Sequence, residues 1–540
     1  MPLAISRARA AGLAMLLMAC SLSRPPAILP AASPAAQVLR VGVATLPSAT
    51  DPATAPIYGS GITRATYEPL LRVRPGSFDT TPGAADRLDV SADGLTYTFH
   101  LRSNARWSDD RAVTARDFVV AWRRVLDPRT DSPAGDVLAG IVKGGAEYEE
   151  LDPVKDAERI AGFLDRLGLR AADDRTFVVT LAQPAPWFRR AVTMPELAPV
   201  RLGADGSLQK VGNGPYRVAA TSTSEIVLVP NDHYWAGRQK VDRLVLVARG
   251  DVSAQLDVYR KGSFGTVSLD SAPAATARRD GGLGRELSEV PALQESWIQF
   301  NVHRAPFDNP KVRLAVAQSI DRGGLVHGVL GDAALPVTAP VPKGMPGYQP
   351  ALKGQAYDPA RCRITLDSSG VSPADLQDVH LLVRDLPLDK AVAQYVADQV
   401  QSHLGIKLVL DIKPSTEVTK RLVTGDFQAQ GPAGWIADYP DEQNWMDLFV
   451  SGSVAGQWSR YSNPAYDRLV RSADVEADPG RRLQVYQQAQ QLVVEEAPVA
   501  FLYQPLDEVL VHSWVQGVQA SGMDNWPGDL NPAGISIAPH

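Results

Sequence analysis

The chain has 540 residues, 45% of them hydrophobic and 21% charged, with a formal net charge of −6. That length exceeds what one hydrophobic core can serve and predicts about two to four domains. The acidic balance, with no basic patch and no basic–aromatic interleaving, excludes nucleic acid as a partner. After residue 20 no apolar run is long enough to cross a bilayer.

Arg7 and Arg9 open the chain as a positive region, and Ala10 to Met18 is an apolar run too short to span a membrane. It ends in Leu17-Met18-Ala19-Cys20, which resembles a bacterial lipobox. Residues 1–20 are therefore predicted to be a lipoprotein signal peptide, with Cys20 lipidated as the new N-terminus. The alternative is ordinary secretion with cleavage near Ala31-Ala32-Ser33-Pro34. Residues 21–38, rich in Pro, Ala and Ser, read as a flexible tether. The only other cysteine is Cys362. With Cys20 carrying lipid it has no disulfide partner, and two cysteines this far apart make no metal site. No metal and no cofactor is expected. The mature chain is expected to be a soluble body held at the outer face of the cytoplasmic membrane.

Val38 to Val43 alternates as a strand, and Ile62 to Leu71 reads as a helix. Leu95 to Leu101 alternates strongly and predicts a half-buried strand. Thr114 is an N-cap for a helix over Ala115 to Leu126, whose Phe118, Val119, Trp122 and Val125 share a face. Residues 153–168 are predicted helical and Thr176 to Leu181 a strand. Val227 to Val229 and Leu244 to Val247 are apolar strand segments. Residues 271–288 are small, charged and weakly periodic, and read as surface.

Trp297 to Val302 is predicted to be a strand, Lys311 to Ile320 a helix and Val379 to Val383 a strand. Val392, Val396, Val400 and Leu404 line one helix face, which Gly405 ends. Ile406, Leu408 and Leu410 alternate as the next strand. Tyr461 to Arg471 and Leu483 to Glu495 read as helices, Pro498 to Tyr503 as a strand, and the tail from Trp514 as loop. Strands alternate with helices without internal repeats, which makes the fold class α/β.

The stretch Ala433-Gly434-Trp435-Ile436-Ala437-Asp438-Tyr439-Pro440-Asp441 runs from apolar residues into an acid and a proline stop. Acids disfavour strand interiors, so Asp438 is expected where a strand ends and a cleft opens. A carboxylate there can hold a cation, with Trp435, Tyr439 and Trp445 excluding water. The same residues admit a second reading, in which Asp438 caps a helix starting near Glu442. Catalytic motifs are missing: there is no Gly-x-Ser-x-Gly and no His-Glu-x-x-His, and Gly212-x-Gly214 lacks the rest of a nucleotide loop. His100, His303 and His512 read as structural. A secreted hydrolase is the weakest alternative, and no catalytic residue is assigned.

Several motifs carry a family resemblance. They are Ser91-Ala92-Asp93-Gly94-Leu95 through Arg102, Ala105-Arg106-Trp107-Ser108-Asp109, and Thr114-Ala115-Arg116-Asp117-Phe118-Val119 to Trp122-Arg123-Arg124. Gly212-Asn213-Gly214-Pro215-Tyr216, Asn231 to Trp235, Phe300-Asn301 with Pro306-Phe307-Asp308, and Ile320-Asp321-Arg322 follow in order. Together with the stretch at 433–441 they resemble the extracellular solute-binding proteins of ABC importers (family 5), the class of oligopeptide- and dipeptide-binding proteins. The resemblance runs from about residue 40 to the end.

It implies a type II periplasmic-binding-protein fold, with two lobes joined by a hinge and an extra third domain. One lobe would combine 39–71, 189–290 and 508–540; the extra domain would be 72–188; the other lobe would be 291–507. It implies a monomeric receptor that closes over a peptide and delivers it to importer permease subunits. Asp438 would hold the ligand's α-amino group, Gly434 to Ala437, including Ile436, would pair with its backbone, and Trp435 would wall a side-chain pocket. Ala134 and Tyr58 stand at further ligand-facing positions. At these the chain departs from close oligopeptide binders, which usually have an aromatic at the Ala134 position and an arginine near Pro432, and some of which have an acid near Tyr58. The same fold could instead take a sugar, an opine-like compound or a metal chelate, or serve as a sensor or chaperone.

Overall fold

The computed structural model describes residues 36–540 apart from 44, 47–50, 56–60, 153, 249, 251–253, 454 and 455. Cys20, the signal segment, most of the tether and Tyr58 lie outside the described residues. Among the described residues no helix is long and apolar enough to cross a membrane.

A single long strand, Val499–Val511, organises the sheet. Its first half pairs antiparallel with Gln294–Phe300 and its second half with Thr266–Ser268 and Leu287–Pro291. On the first side the sheet continues through Ala429–Ile436, Val379–Arg384 and Leu408–Lys413. On the second it continues through Val38–Val43, Arg243–Ala248, Glu225–Pro230 and Tyr216–Thr221. The sequence reading places this strand only at Pro498 to Tyr503, short of Pro505. Pro505 is tolerated because its partner there is the short edge strand Ala334–Pro336. Its carbonyl still accepts from the Ala292 N–H at 2.9 Å.

Helices cover both faces of the 294–436 half. Pro310–Ser319 and Pro387–Leu404 pack on one face, and Val392, Val396, Val400 and Leu404 are buried there. Gly405 takes the left-handed conformation at the helix end, φ +73°, which costs glycine little. Pro464–Val475 and Pro479–Glu496 pack on the other face, over a core that includes Trp297, Trp445 and Phe501.

Residues 85–180 build a separate antiparallel sheet in the order Ala85–Val90, Thr96–Leu101, Thr176–Thr180, Leu169–Asp173. The helix Ala115–Leu126 lies against it and begins as its sequence predicts, with Asp117 accepting from the Thr114 N–H at 2.7 Å. Phe118, Trp122 and Phe177 form the aromatic centre.

Three segments depart from the sequence reading. The helix expected over Ile62 to Leu71 is Gly61–Thr66, and Leu71–Val73 is instead a strand paired with Thr80–Pro82. Pro69 disfavours helix at the residue before it, and the Glu68 N–H donates to Asn213 Oδ1 at 2.9 Å rather than continuing the turn. The 271–288 segment contains a helix, Ser271–Arg279, that buries Pro273, Ala274 and Ala277. Its apolar face is made of small residues, so it leaves little hydrophobic periodicity. Within 153–168 the helix is confined to Ala157–Phe163.

Candidate functional site

The strand Ala429–Ile436 pairs with Gln294–Phe300 along its length, matching Gly434 to Ser296 and Trp435 to Glu295. Its other edge meets Val379–Arg384 only at Ala429 and Gln430. Beyond Gln430 that edge has no strand partner among the described residues, and Ala433 to Ile436 are half-buried. Pro432 offers no N–H to it. A Cβ on Gly434 would lie 2.3 Å from the Glu295 carbonyl oxygen, so this close pairing requires glycine. The run ends as Ala437 donates its N–H to the Leu293 carbonyl at 2.8 Å.

Asp438 follows immediately and is 8% exposed. Its Oδ2 accepts from Asn444 Nδ2 at 2.9 Å, and its N–H donates to Asn444 Oδ1 at 3.0 Å. Oδ1 is buried and has no hydrogen-bond partner among the described residues. Burial pushes the carboxyl up to about 6, which the Asn444 amide only partly offsets. Ahead of the helix Gln443–Met446 it is Asp441 whose side chain meets a backbone N–H, its Oδ1 accepting from Gln443 at 3.0 Å. This overturns the capping reading of Asp438, whose carboxylate accepts from a side chain. Asp441 also pairs with Arg190 and Arg482, each at 2.6 Å. Tyr439 stacks on Trp187, rings 5.5 Å apart and nearly parallel.

Asp438 lines a cavity of about 40 Å³, together with Arg64, Tyr67, Glu68, Arg72, Met523 and other residues of 193–195 and 529–533. The cations in this wall already have acids. Arg64 donates to Asp529 at 3.1 Å and to the Met523 carbonyl at 2.8 Å. Arg72 pairs with Glu68 at 3.3 Å, and Glu68 also accepts from Tyr234 and Trp235. Just behind the wall, Glu196 is buried, and among the described residues neither carboxylate oxygen has a partner. Burial raises it to about 7, and the charge of Asp438 adds to the rise. The balance is negative, and the unmet demand is for a positively charged, multi-donor group.

A second, smaller cavity of about 20 Å³ adjoins Gly434 and Trp435, and Trp297, Gln299, Leu448, Phe449, Trp458 and Ser459 also line it. Trp435 Nε1 donates to Asn444 Oδ1 at 3.1 Å, so one asparagine fixes both Trp435 and Asp438. Ile436 ends the strand and pairs with Gln294. The structure therefore brings Gly434, Trp435, Ile436, Ala437 and Asp438 together. Ala134 lies elsewhere, fully buried in the aromatic core of the 85–200 region, and lines neither cavity. Asn444, Glu196 and the Arg64–Asp529 pair were not legible as site residues. Arg64 and Asp529 are 465 positions apart, and no spacing rule joins them. Among the described residues no group of three His, Cys, Asp or Glu could hold a metal ion, and Cys362 is buried and unpaired.

The family model described as bacterial extracellular solute-binding proteins, family 5 Middle, matches residues 79–457. The oligopeptide-binding protein OppA of Bacillus subtilis strain 168 is 27% identical over 511 residues, 90% of each chain. The probable deoxycholate-binding periplasmic protein YgiS of Escherichia coli K12 is 29% identical over 455 residues, 81% of this chain and 82% of that one. The solved structure of the Escherichia coli murein tripeptide binding protein MppA is 26% identical, with a TM-score of 0.74 over 94% of this chain and 99% of that one. The mixed α/β architecture described above is the two-lobe fold of that structure.

Proposed function

Because the chain belongs to the bacterial extracellular solute-binding proteins of family 5, we propose that it captures peptides between two lobes and delivers them to an ABC importer. The observation that carries this reading is Asp438: a buried carboxylate with one oxygen unpartnered, at the end of a strand whose edge is open. An ammonium group supplies both the missing charge and the missing donor, and charge-assisted hydrogen bonds are the strong ones. A peptide backbone on the open edge at Ala433 to Ile436 would add main-chain bonds that read no side chain. The chain would act without catalysis, as a monomer.

The lobes in this reading are 39–71 with 189–290 and 508–540, and 291–507, with 72–188 as the extra domain. The crossing of Val499–Val511 from one set of strands to the other supports a hinge near 506–508. Cys20 would anchor the receptor by lipid to the outer face of the membrane. Labelling with a lipid probe in cells, lost in Cys20→Ser, tests the anchor separately.

A non-peptide solute is the second reading, favoured by the deoxycholate named for one relative. Deoxycholate bears a carboxylate, and the unpaired Asp438 would repel that end. Asp438→Ala is expected to weaken binding of free-N-terminus peptides at least a hundredfold with the fold intact, and N-terminal acetylation to do the same. Calorimetry showing unchanged affinity in either case would falsify the anchor assignment. Mass spectrometry of co-purified ligand separates a peptide mixture from one defined small molecule.

A further inference from the structure

Glu295 is a further buried acid whose charge the protein leaves unanswered. It stands on Gln294–Phe300, opposite Trp435 of Ala429–Ile436, and is wholly buried. Its Oε2 accepts from Trp445 Nε1 at 3.2 Å, and its Oε1 has no hydrogen-bond partner among the described residues. Burial pushes the carboxyl well above its usual range, and the indole N–H offsets only part of that. An acid kept for structure would have a cation or a second donor beside it, since buried polar groups are normally paired.

Glu295 lines a cavity of about 290 Å³ that shares no residue with the one at Asp438. Water takes up about 30 Å³ per molecule in the liquid, so this space suits a small organic molecule rather than one ion. Leu335, Val337, Pro340 and Leu352 give it apolar walls, and Tyr348 adds a ring that is 40% exposed. The two amides in the wall are already engaged. Gln504 donates to the Ala292 and Lys343 carbonyls at 2.7 and 2.9 Å and accepts from the Lys343 N–H at 3.0 Å. Gln349 Oε1 accepts from Gln487 Nε2 at 2.6 Å. Among the buried side-chain atoms of the wall, Glu295 Oε1 is left as the one that lacks a partner.

That oxygen selects the ligand's chemistry. A carboxylate takes an ammonium or a guanidinium group, and one free oxygen suits the point charge of an ammonium better than the two prongs of a guanidinium. A ligand carboxylate would face the acid. Lys343, exposed on the same wall, disfavours a second positive charge on the ligand. We propose that this cavity is a separate ligand site for a small aliphatic primary amine, in which Glu295 receives the ammonium head and the apolar walls receive the carbon tail. The site depends neither on Asp438 nor on the peptide reading.

The test is a ligand-observed NMR titration with n-butylammonium and its neutral and anionic counterparts, n-butanol and butyrate. Wild type, Asp438→Ala, Glu295→Gln and Ala339→Trp are compared. Butylammonium is expected to bind the wild type at least about tenfold tighter than butanol, the size of one charge-assisted hydrogen bond, and butyrate not to bind. Asp438→Ala is expected to keep butylammonium affinity within about twofold, as a separate site does. Glu295→Gln keeps the shape and the acceptor for Trp445, and is expected to weaken butylammonium at least about tenfold. Ala339→Trp fills the cavity from its wall and is expected to block binding with Glu295 intact. It decides the matter if Glu295→Gln folds poorly. Equal binding of butylammonium and butanol overturns the inference. So does no binding of butylammonium, which means the cavity holds ordered water only. Binding lost in Asp438→Ala but kept in Glu295→Gln puts the amine at the peptide anchor, which overturns this site and leaves the peptide reading standing.

Discussion

Asp438 and Asp441 share one loop, and burial raises the proton affinity of both carboxylates, yet they end in opposite states. Asp441 has the guanidinium groups of Arg482 and Arg190 and the Gln443 N–H around it. The Arg482 charge, its hydrogen bond and the Arg190 charge together outweigh desolvation and hold the carboxyl below its usual range. Among the described residues Asp438 has only the neutral Asn444, and burial leaves it raised to about 6. The difference separates structure from function within a few residues. A buried charge that the protein completes holds the fold together, and one that it leaves incomplete is where a ligand finishes the set.

The largest expected effect tests the completed member. Asp441→Ala strands two arginines against a buried pocket, and removing one partner of a buried pair costs about 3–5 kcal/mol. Urea unfolding at neutral pH should show that loss. Asp438→Ala, which removes an unpaired charge, should leave stability unchanged or higher at the same pH. Equal losses would dissolve the distinction.

The next effect, on the order of 1–3 kcal/mol, follows from pH. A carboxyl raised to about 6 from the ordinary value of 3.8 binds more protons folded than unfolded between those values. Asp438 therefore destabilises the fold fully above pH 6, and the penalty is relieved as pH falls toward 3.8. Asp441 has the opposite sign: its contribution is present above 3.8 and is lost as pH falls further. In binding, only ionised Asp438 attracts an ammonium, so peptide affinity should rise through pH 6 and fall where the ligand's amino group deprotonates, near 8. Calorimetry from pH 5 to 9 should give this bell shape, with the acid limb absent in Asp438→Asn.

The sequence made the strand at 433–437 and its acidic end visible, because an apolar run broken by an acid, an aromatic and Pro440 has few other meanings. It placed Val38–Val43 and Ala115–Leu126 to the residue, since period and caps agree there. What stayed hidden depends on distant contacts. Asp438 and Asp441 look equally fit to cap the helix until Asn444, Arg190 and Arg482 are in place. Glu196 carries no signal in the sequence, and only the fold encloses it. Ala134 entered through family resemblance alone, and the fold puts it in a core.

The smallest effect asks whether the two carboxylates are truly separate. Arg190 reaches Asp441 from the helix Phe188–Ala191, directly after Trp187, whose ring stacks on Tyr439. Its side chain is 29% exposed against 13% for Arg482. Arg482 alone contacts both oxygens of Asp441, at 2.6 and 3.2 Å. Arg190→Ala should therefore cost only about 1 kcal/mol, as a partly exposed pair does. Because Asn444, not Arg190, holds Asp438, peptide affinity should stay within about threefold and its acid limb should stay near pH 6. A hundredfold loss of affinity in Arg190→Ala would mean that the Asp441 cluster sets the position of Asp438. The loop would then be one unit rather than two, and the unpaired oxygen would be a product of the ion pairs beside it.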